Sequence, residues 1–445
     1  IQLVRHGRLV LDAYFYPYDG RTRHDVASVT KSVTSTLVGL AIERGYIRDV
    51  QQPVLSFFPG MAVAEADVRK RTQTIEHLLT MQSGWDCGVP LGAPNINADA
   101  VLARMRQSGD WVQCALDLPM SSDPGTRFLY CNCNCHVLSA LITRVTGTSA
   151  LGLAKRELFA PIGISDVVWP ADPKGNNYGW GDLQLHPRDM ARLGQLFLQS
   201  GRWAGRQIVS DSWVRTATRP HVRQTGGKDQ YGYYWWMPGE RFPGLFEAVG
   251  RGGQRITVWA AKDVVLVYTG GGFDVDVLAP FILKSLKSDE ALPANANSAG
   301  RLRDKLTAAT RPPSAQPVPE LPPMAKRISG KTYTLATNEL DLRAITLSFD
   351  NSPQATLRFR RLETELRCPV GLDGLERFST DMLEQLPFAA KGRWLNANTF
   401  LLELDRVAGI SFYRFQLTYG EEGKSLTIRL SERTGLGEEV FKGKG

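Results

Sequence analysis

The chain contains, close to its start, the stretch His24-Asp25-Val26-Ala27-Ser28-Val29-Thr30-Lys31-Ser32-Val33, and most of its architecture can be argued outward from there. Apolar residues continue from it at helical spacing, and Gly45 suits a C-terminal cap, so the sequence predicts a helix from about Ser28 to Gly45. A helix this apolar is expected to be buried. Lys31 would then lie near the core, where an uncommitted lysine is costly.

Ser28 and Lys31 share one face of this predicted helix, because positions i and i+3 are neighbours on a helix surface. A serine hydroxyl becomes a good nucleophile when a nearby base takes its proton, and a lysine amine is such a base when burial or neighbouring cations lower its pKa. Ser-x-x-Lys alone is a weak motif, since both residue types are common on solvated helix faces. The pair therefore predicts catalysis only in the company of other motifs.

Two further motifs follow along the chain. Tyr130-x-Asn132 comes second, and Gly250-Arg251-Gly252-Gly253-Gln254 supplies a later basic-x-Gly element. With Ser28-x-x-Lys31 they resemble the three motifs of the serine β-lactamase and penicillin-binding-protein superfamily. Because its second motif begins with tyrosine, the chain resembles one branch of this superfamily. That branch holds class C β-lactamases, D-amino-acid peptidases, family VIII esterases and 6-aminohexanoate-dimer hydrolase. The resemblance runs in order through residues 1–290, and its most similar stretches are 74–84, 124–132, 187–194 and 250–254.

The resemblance implies an acyl-transfer mechanism. Ser28 would attack a carbonyl carbon, and Lys31 would take or relay the hydroxyl proton with Tyr130 as its partner. Asn132 would hydrogen-bond the amide of the substrate and orient Lys31. Taken without the first motif, Tyr130 and Asn132 are more typical of a turn, because both residue types are common after a Pro-Gly pair such as the one at 124–125.

The third motif combines glycines with an arginine. Gly253 and its glycine neighbours would let a substrate lie against a strand edge, and the resemblance implies an oxyanion hole made by the backbone N–H groups of Ser28 and Gln254. Arg251 stands where relatives carry Lys or His. An arginine is no base but holds carboxylates in a two-point fork, so we expect Arg251 to bind an anion; a structural salt bridge is the alternative.

The sequence predicts an α+β fold in two domains. Strand-like runs at 3–11, 231–236, 255–260 and 264–269 enclose a mostly helical middle, so early and late strands should share one sheet. The resemblance implies a β-lactamase-like domain over residues 1–310, an antiparallel sheet flanked by helices plus a helical subdomain. Six prolines within 311–323 predict an extended linker at 311–325. Alternating apolar residues then predict an accessory antiparallel β barrel or sandwich over 326–445.

Three closely spaced cysteines, Cys131, Cys133 and Cys135, precede His136 and suggest a zinc site at first sight. On a strand, however, alternate side chains point to opposite faces, and on a helix the side chains of Cys131 and Cys135 would point away from that of Cys133. The sequence also lacks a second pair of ligands at a suitable spacing. We therefore expect small buried thiols and neither a metal nor another cofactor. The aromatic stretches 180–183 and 234–236 are expected to be core, with a cleft wall as the alternative.

Charge and hydropathy limit the classes of partner that the chain is expected to bind. The net charge of +8 is spread without a basic stripe, so we expect no nucleic acid, and the sequence has no apolar run of membrane-spanning length. A small-molecule or short peptide-like substrate remains, with the oligomeric state undetermined. The start of the sequence shows no export signal and looks trimmed, so the compartment stays open; the resemblance suits a periplasmic or secreted protein.

These observations together predict a serine hydrolase that cleaves an amide, lactam or ester. The alternative is a binding or sensor protein that keeps the fold without turnover. An α/β-hydrolase is disfavoured because the sequence has no G-x-S-x-G elbow, and a metallohydrolase because it has no H-E-x-x-H.

Overall fold

The computed structural model describes residues 1–61, 63, 67–87, 100–224, 229–239, 242–272, 274–350, 352–383, 386–434 and 437–445. It divides into two compact units. The first consists of Ile1–Tyr14, Gly20–Gly270 and Asp274–Gly300, and the second of Phe15–Asp19, Gly271–Phe273 and Arg301–Gly445. The boundaries drawn from the sequence, 1–310, 311–325 and 326–445, stay predictions.

The first unit is built around one antiparallel sheet. The strands are β1 (Gln2–Arg5), β2 (Arg8–Asp12), β3 (His24–Asp25), β4 (Gln184–Leu185), β5 (Arg202–Trp203), β6 (Arg206–Gln207), β7 (Val222–Arg223), β8 (Gln230–Tyr231), β9 (Trp236–Met237), β10 (Leu245–Gly250), β11 (Gln254–Trp259) and β12 (Val264–Tyr268). Within the described residues the strand order of the sheet is β2-β1-β12-β11-β10-β9-β8-β7, and two small sheets pair β3 with β4 and β5 with β6.

The start and the end of the first unit meet in this sheet, as the sequence predicts. β1 pairs with β12 so that Gln2 lies opposite Val267. His6 and Gly7, with φ values of 49° and 68°, make the tight turn of the predicted β1–β2 hairpin, since positive φ at both central residues suits the twist of the strands. The strand predicted at 231–236 is wrong in its middle: β8 ends at Tyr231 and β9 begins at Trp236, and Tyr234 between them has a φ of 64°.

Helices cover the sheet and make the helical middle of the first unit. The α-helices are α1 (Val29–Glu43), α2 (Ile75–Leu79), α3 (Ala100–Gln107), α4 (Trp111–Leu116), α5 (Asn132–Thr146), α6 (Ala150–Leu153), α7 (Pro187–Leu198), α8 (Asp211–Ala217), α9 (Ala279–Ser285), α10 (Ala296–Ala309) and α11 (Pro323–Ile328). Helix α11 belongs to the second unit, and so does α10 from Arg301 onwards. A π-helical turn, Ala154–Phe159, continues α6, and shorter 3₁₀ turns are Val54–Phe57, Val68–Thr72, Ala160–Ile162, Arg251–Gly253, Ala260–Lys262 and Val275–Leu278.

Helix α1 runs through the core of the first unit. Every residue from Val29 to Ala41 is buried, polar and apolar alike, and the helix packs against α5 and β10. The hydroxyls of Thr30, Ser32, Thr34 and Thr36 donate to backbone carbonyls; Thr34, for example, donates to the carbonyl of Gly179 at 2.9 Å. The predicted central helix is therefore confirmed, and it carries Lys31 into the interior.

The second unit is a β barrel, which selects one of the two architectures that the sequence allowed. Its strands are β13 (Thr332–Leu335), β14 (Leu342–Phe349), β15 (Gln354–Arg361), β16 (Thr364–Gly371), β17 (Arg377–Leu383), β18 (Leu386–Trp394), β19 (Thr399–Arg406), β20 (Phe412–Tyr419), β21 (Ser425–Glu432) and β22 (Glu438–Lys444). They follow the order β16-β15-β14-β13-β22-β21-β20-β19-β18-β17, and a parallel pairing of β16 with β18 closes the sheet. Alternate residues point inwards and form a separate core.

Helix α11 closes one end of the barrel. Met324 and Ile328 belong to the barrel core, and the hydroxyl of Tyr333 donates to the carbonyl of Gly423 at 2.7 Å beside them. The proline-rich segment before α11 also packs on this core through Val318 and Leu321. Helix α11 begins at Pro323, inside the segment predicted as linker.

Within the described ranges, no single helix has the length and apolarity needed to cross a membrane; one bent pair, Asn132–Thr146 with Ala150–Ile162, reaches them together.

Candidate active site

The turn that carries Ser28 is held from several sides. After β3, Ala27 takes a φ of 47°, which is uncommon for a residue with a side chain. The Asp25 carboxylate accepts the Ala27 N–H at 2.8 Å, and the Val26 N–H donates to the carbonyl of Leu183 at 2.9 Å. Ser28 follows as the N-terminal cap of α1. Its side chain is thus presented at a fixed point at the start of a buried helix.

Lys31 lies one turn further along α1 and is 1 % exposed. Its Nζ donates to Ser28 Oγ at 2.7 Å and to the carbonyl oxygen of Trp180 at 2.9 Å. The same Nζ lies 4.8 Å from the centre of the Tyr130 ring. The ammonium group therefore has specific partners, which a buried lysine requires.

The second motif is fixed at the start of α5. Cys131 is the N-terminal cap and Asn132 the first residue of the helix. The Leu129 N–H donates to the carbonyl of Met81 at 2.8 Å, which ties the preceding strand-like segment to the end of α2. The Tyr130 ring stacks on Trp236, with ring centres 6.1 Å apart and planes inclined by 23°. The Tyr130 ring therefore contacts both Trp236 and Lys31.

Cys131 forms a disulfide with Cys87, 44 residues earlier. This corrects the expectation of three buried thiols, which holds for Cys133 and Cys135 alone; both are buried and unbridged. Burial raises the pKa of the Cys135 thiol to about 11, so it stays protonated at neutral pH. In the described part of the chain no three His, Cys, Asp or Glu side chains are placed to hold a metal ion.

The third motif forms the turn between β10 and β11. Gly250 pairs with Gln254, and Gly252 and Gly253 between them have φ values of 79° and 95°. A Cβ on Gly250 would lie 2.6 Å from the carbonyl oxygen of Val26 and 3.0 Å from Cβ of Ala27. Only glycine allows the turn to come this close to the residues before Ser28.

Gln254 is 1 % exposed, and its amide group fastens this turn to the segment just after β12. The side-chain Oε1 accepts the Gly270 N–H at 3.2 Å, and Nε2 donates to the carbonyl oxygen of Gly270. The side chain is thereby committed to structure. Arg251 lies half-buried in the same turn.

The aromatic stretches are largely core, as expected. Trp180 is 5 % exposed and stacks on Tyr178 with ring centres 4.9 Å apart, while Trp236 is half-buried beside Tyr130. Burial raises the pKa of Tyr231 and of Tyr234 well above the ordinary value, so these two phenols stay neutral.

The structure thus brings Ser28, Lys31 and Tyr130 into direct proximity and packs the third motif against the Ser28 turn. Two features of the site escaped the sequence analysis. The carbonyl oxygen of Trp180 holds Lys31, and a backbone acceptor leaves no trace in residue identity. The second feature is the Cys87–Cys131 bond, which joins the second motif to the segment after α2. The sequence shows both cysteines, but their spacing does not indicate which cysteine pairs with which.

Comparison with known proteins agrees with this geometry. The Beta-lactamase family model matches residues 1–278, which is more than half of the chain. The chain therefore belongs to the Beta-lactamase family. Relatives in this family are hydrolases, and the family accounts for the first unit.

Two curated relatives illustrate the range of the family. The chain is 28 % identical over 290 residues to the 6-aminohexanoate-dimer hydrolase of Paenarthrobacter ureafaciens, covering 62 % of this chain and 73 % of that protein. It is 27 % identical over 168 residues to a beta-lactamase of Escherichia coli, covering 37 % and 40 %. The crystal structure of a penicillin binding protein from Bacillus halodurans has the same fold, with a TM-score of 0.51, 18 % identity and coverage of 64 % and 95 %.

Proposed function

We propose that this hydrolase cleaves an amide, lactam or ester through a covalent acyl-enzyme on Ser28. The observation that carries the proposal is the contact of 2.7 Å between Lys31 Nζ and Ser28 Oγ in a site where Lys31 is 1 % exposed. Such a separation is within reach of proton transfer between the two groups. A nucleophile paired with its base accounts for a lysine that is buried against a hydroxyl at the start of a helix.

In the first half of the reaction, Ser28 Oγ attacks the carbonyl carbon and its proton passes to Lys31, with Tyr130 as relay. The carbonyl oxygen becomes an oxyanion, which the backbone N–H groups of Ser28 and Gln254 stabilise. Collapse of this intermediate breaks the C–N or C–O bond, and the leaving group takes the proton. Water then attacks the acyl-enzyme and gives up a proton to the same groups, which pass it to Ser28 Oγ as the bond between this oxygen and the acyl carbon breaks.

Substrate recognition falls to the other residues of the three motifs. Asn132, at the start of α5, is proposed to hydrogen-bond the amide of the substrate, and Gly253 to let it lie along β11. Arg251 is proposed to hold a carboxylate. The name of the Paenarthrobacter relative indicates one suitable class, a linear amide that ends in a free carboxylate. β-Lactams, D-Ala-D-Ala peptides and simple esters complete the set to be tested.

The test is covalent labelling. Wild-type protein should gain the mass of one fluorophosphonate or penicilloyl adduct, and Ser28→Ala should gain none, with peptide mapping placing the adduct on Ser28. Ser35→Ala is the matched control, because Ser35 is also a buried serine on α1 and should leave labelling intact. A Ser28→Ala protein that still labels would overturn the assignment. Saturable substrate binding without labelling would instead support the alternative, a binding or sensor protein of this fold.

A screen of nitrocefin, p-nitrophenyl esters, D-Ala-D-Ala peptides and 6-aminohexanoate dimer would then identify the substrate class.

A further inference from the structure

The carbonyl group that holds Lys31 belongs to Trp180, which stands between two glycines. Gly179 is pressed against α5, because a Cβ at this residue would lie 1.9 Å from the carbonyl oxygen of Cys135. On the other side, Gly181 has no side chain that would restrict the peptide group carrying the carbonyl. The direction of the Trp180 carbonyl therefore depends on how the Trp180 side chain is held.

Three rings enclose the indole of Trp180. Tyr178 stacks on it with planes inclined by 7°. His136, on α5, meets it edge-on, with ring centres 5.3 Å apart and planes inclined by 63°, and the ring centre of Trp111, on α4, lies 5.8 Å away. Trp111 also contacts His136, at 5.5 Å between ring centres. The His136 ring is thus part of the wall that holds the indole.

A buried carboxylate fixes the His136 ring. The side chains of His136 and Asp172 are both 0 % exposed, and His136 Nε2 lies 3.0 Å from Asp172 Oδ2. The carboxylate also accepts the backbone N–H groups of Lys174 and Asn176 at 2.9 and 2.8 Å, and the Asn176 side-chain amide at 3.0 Å. Burial raises the pKa of Asp172, but the hydrogen bonds from His136 and Asn176 outweigh this effect and lower the pKa to about 2. Asp172 is therefore ionised, so His136 Nε2 carries the proton that joins the two side chains.

The other ring nitrogen of His136, Nδ1, is buried without a hydrogen-bond partner among the described residues. A leucine at this position would avoid the cost of an unpaired buried nitrogen. Histidine instead adds a hydrogen bond that sets the orientation of the ring against Trp180. A ring with a single hydrogen bond, to an ionised carboxylate, is oriented but relays no proton between two partners.

We propose that His136, oriented by Asp172, is a positioning residue for Lys31: its ring holds the Trp180 indole in place, and the Trp180 carbonyl in turn holds Lys31 Nζ beside Ser28 Oγ. The inference rests on the function proposed above, since it gives His136 a part in the acylation of Ser28. Misplacement of a reacting group by about 1 Å can slow a reaction roughly 100-fold. The contact of 2.7 Å between Nζ and Oγ is accordingly sensitive to the packing around Trp180.

A double-mutant cycle of acylation rates tests whether His136 acts through Lys31. The rates are single-turnover rates with a p-nitrophenyl ester, measured over a range of ester concentrations. His136→Leu should lower the saturating rate about 10- to 100-fold and leave the half-saturating concentration nearly unchanged. In a Lys31→Ala background the same change should have little further effect, because the group that His136 positions is gone. His136→Gln keeps an N–H for Asp172 and should recover part of the loss.

His221→Leu is the matched control, since His221 also contacts a carboxylate and stacks on an aromatic ring, those of Glu76 and Tyr233. It should leave the acylation rate unchanged whatever its effect on the unfolding midpoint. An unchanged acylation rate in His136→Leu would overturn the proposal and leave His136 a structural role. Equal losses in the wild-type and Lys31→Ala backgrounds would do the same.

A signal that needs no turnover separates this inference from the proposed function. In NMR spectra of protein isotopically labelled at lysine Cε, the resonance of Lys31 is identified by its loss in Lys31→Ala. His136→Leu should shift this resonance, and His221→Leu should not. A wild-type protein whose Ser28 is never labelled would refute the proposed acylation, and the resonance would still show whether His136 positions the amine. An unshifted resonance in His136→Leu would overturn the inference in either case.

Discussion

Lys31 combines two properties that rarely coexist in a folded protein, an ionisable side chain and nearly complete burial. Its neighbours explain how the fold tolerates it: a hydroxyl, a backbone carbonyl and an aromatic ring surround Nζ. The hydroxyl of Ser28 is the only one of these groups that could react with a substrate. The proposed chemistry therefore depends on transfer of a proton between Ser28 Oγ and Lys31 Nζ.

Lys31→Ala and Tyr130→Phe are expected to slow acylation of Ser28 by about 10²–10⁴-fold each, because proton transfer by a positioned group contributes about that much. The measurement is the single-turnover rate of ester or β-lactam acylation. Thr34→Val is a control on the same buried helix, since its hydroxyl bonds backbone carbonyls and takes no part in the proposed transfer. Wild-type acylation rates in both variants would mean that the base lies elsewhere.

The effect of replacing Arg251 distinguishes between two substrate classes, amides that carry a carboxylate and neutral esters. If its guanidinium holds a carboxylate, Arg251→Ala should lower kcat/KM for a carboxylate-bearing amide by about one to two decades, the loss of a charge-assisted hydrogen bond of about 1.5–3 kcal/mol. p-Nitrophenyl esters offer no anion and should be nearly unaffected. The quantity to compare is the ratio of the two specificity constants in wild type and variant. Losses of equal size would identify a structural arginine and favour neutral esters as substrates.

At the scale of elements, the residues of the candidate site lie in three short segments: the β3–α1 turn, the start of α5 and the β10–β11 turn. The disulfide from Cys87 reaches the middle residue of the second motif, between Tyr130 and Asn132. A covalent bond at this position restricts how far those two side chains can move from Lys31. It also closes a long loop, which is the situation in which a disulfide stabilises most.

Removal of this disulfide should affect both stability and acylation. Cys87→Ser with Cys131→Ser is expected to lower the free energy of unfolding by about 2–4 kcal/mol. It should also slow acylation of Ser28 more than it weakens substrate binding, because Tyr130 loses its fixed position. Unfolding midpoints and single-turnover rates measure the two effects. Cys114→Ser is the control, since Cys114 is unbridged; an unchanged acylation rate in the double variant would limit the bond to a structural role.

Elements with a strong local pattern could be predicted from the sequence, and those that depend on distant partners could not. Helix α1, the β1–β2 hairpin and the pairing of early with late strands follow from periodicity and turn chemistry. The run 231–236 misled because its aromatic residues favour strands, whereas the core accommodates them around a turn at Tyr234. Cys87–Cys131 joins residues far apart in the chain, and such pairings have no local signature.

At the scale of the whole molecule, the two units carry separate cores, and the second has an electrostatic feature of its own. Asp405, on β19, is half-buried and lies near Glu376; partial desolvation and the charge of Glu376 raise the pKa of its carboxyl group to about 7 from a usual 3.8. Arg433 and Lys391 act in the opposite direction but do not cancel the shift. The Tyr18 hydroxyl accepts the Ala408 N–H at 3.2 Å. Burial and the nearby Asp405 carboxylate raise the pKa of Tyr18 above its usual value.

This shift predicts how stability depends on pH. Between about pH 3.8 and 7 the folded chain holds a proton on Asp405 that the unfolded chain has released, so this group favours folding below that range. The stabilisation is lost as pH rises through about 7, with about 1.4 kcal/mol for each unit by which the two pKa values differ. Asp405→Asn should therefore raise the unfolding midpoint at pH 8 and flatten its decline between pH 5 and pH 8. Glu403→Gln, on the same strand and paired with Arg414 at 2.9 Å, is the matched control and should leave the profile unchanged. If Asp405→Asn and wild type show parallel profiles of midpoint against pH, Asp405 titrates normally and the pH dependence of the barrel must come from other groups.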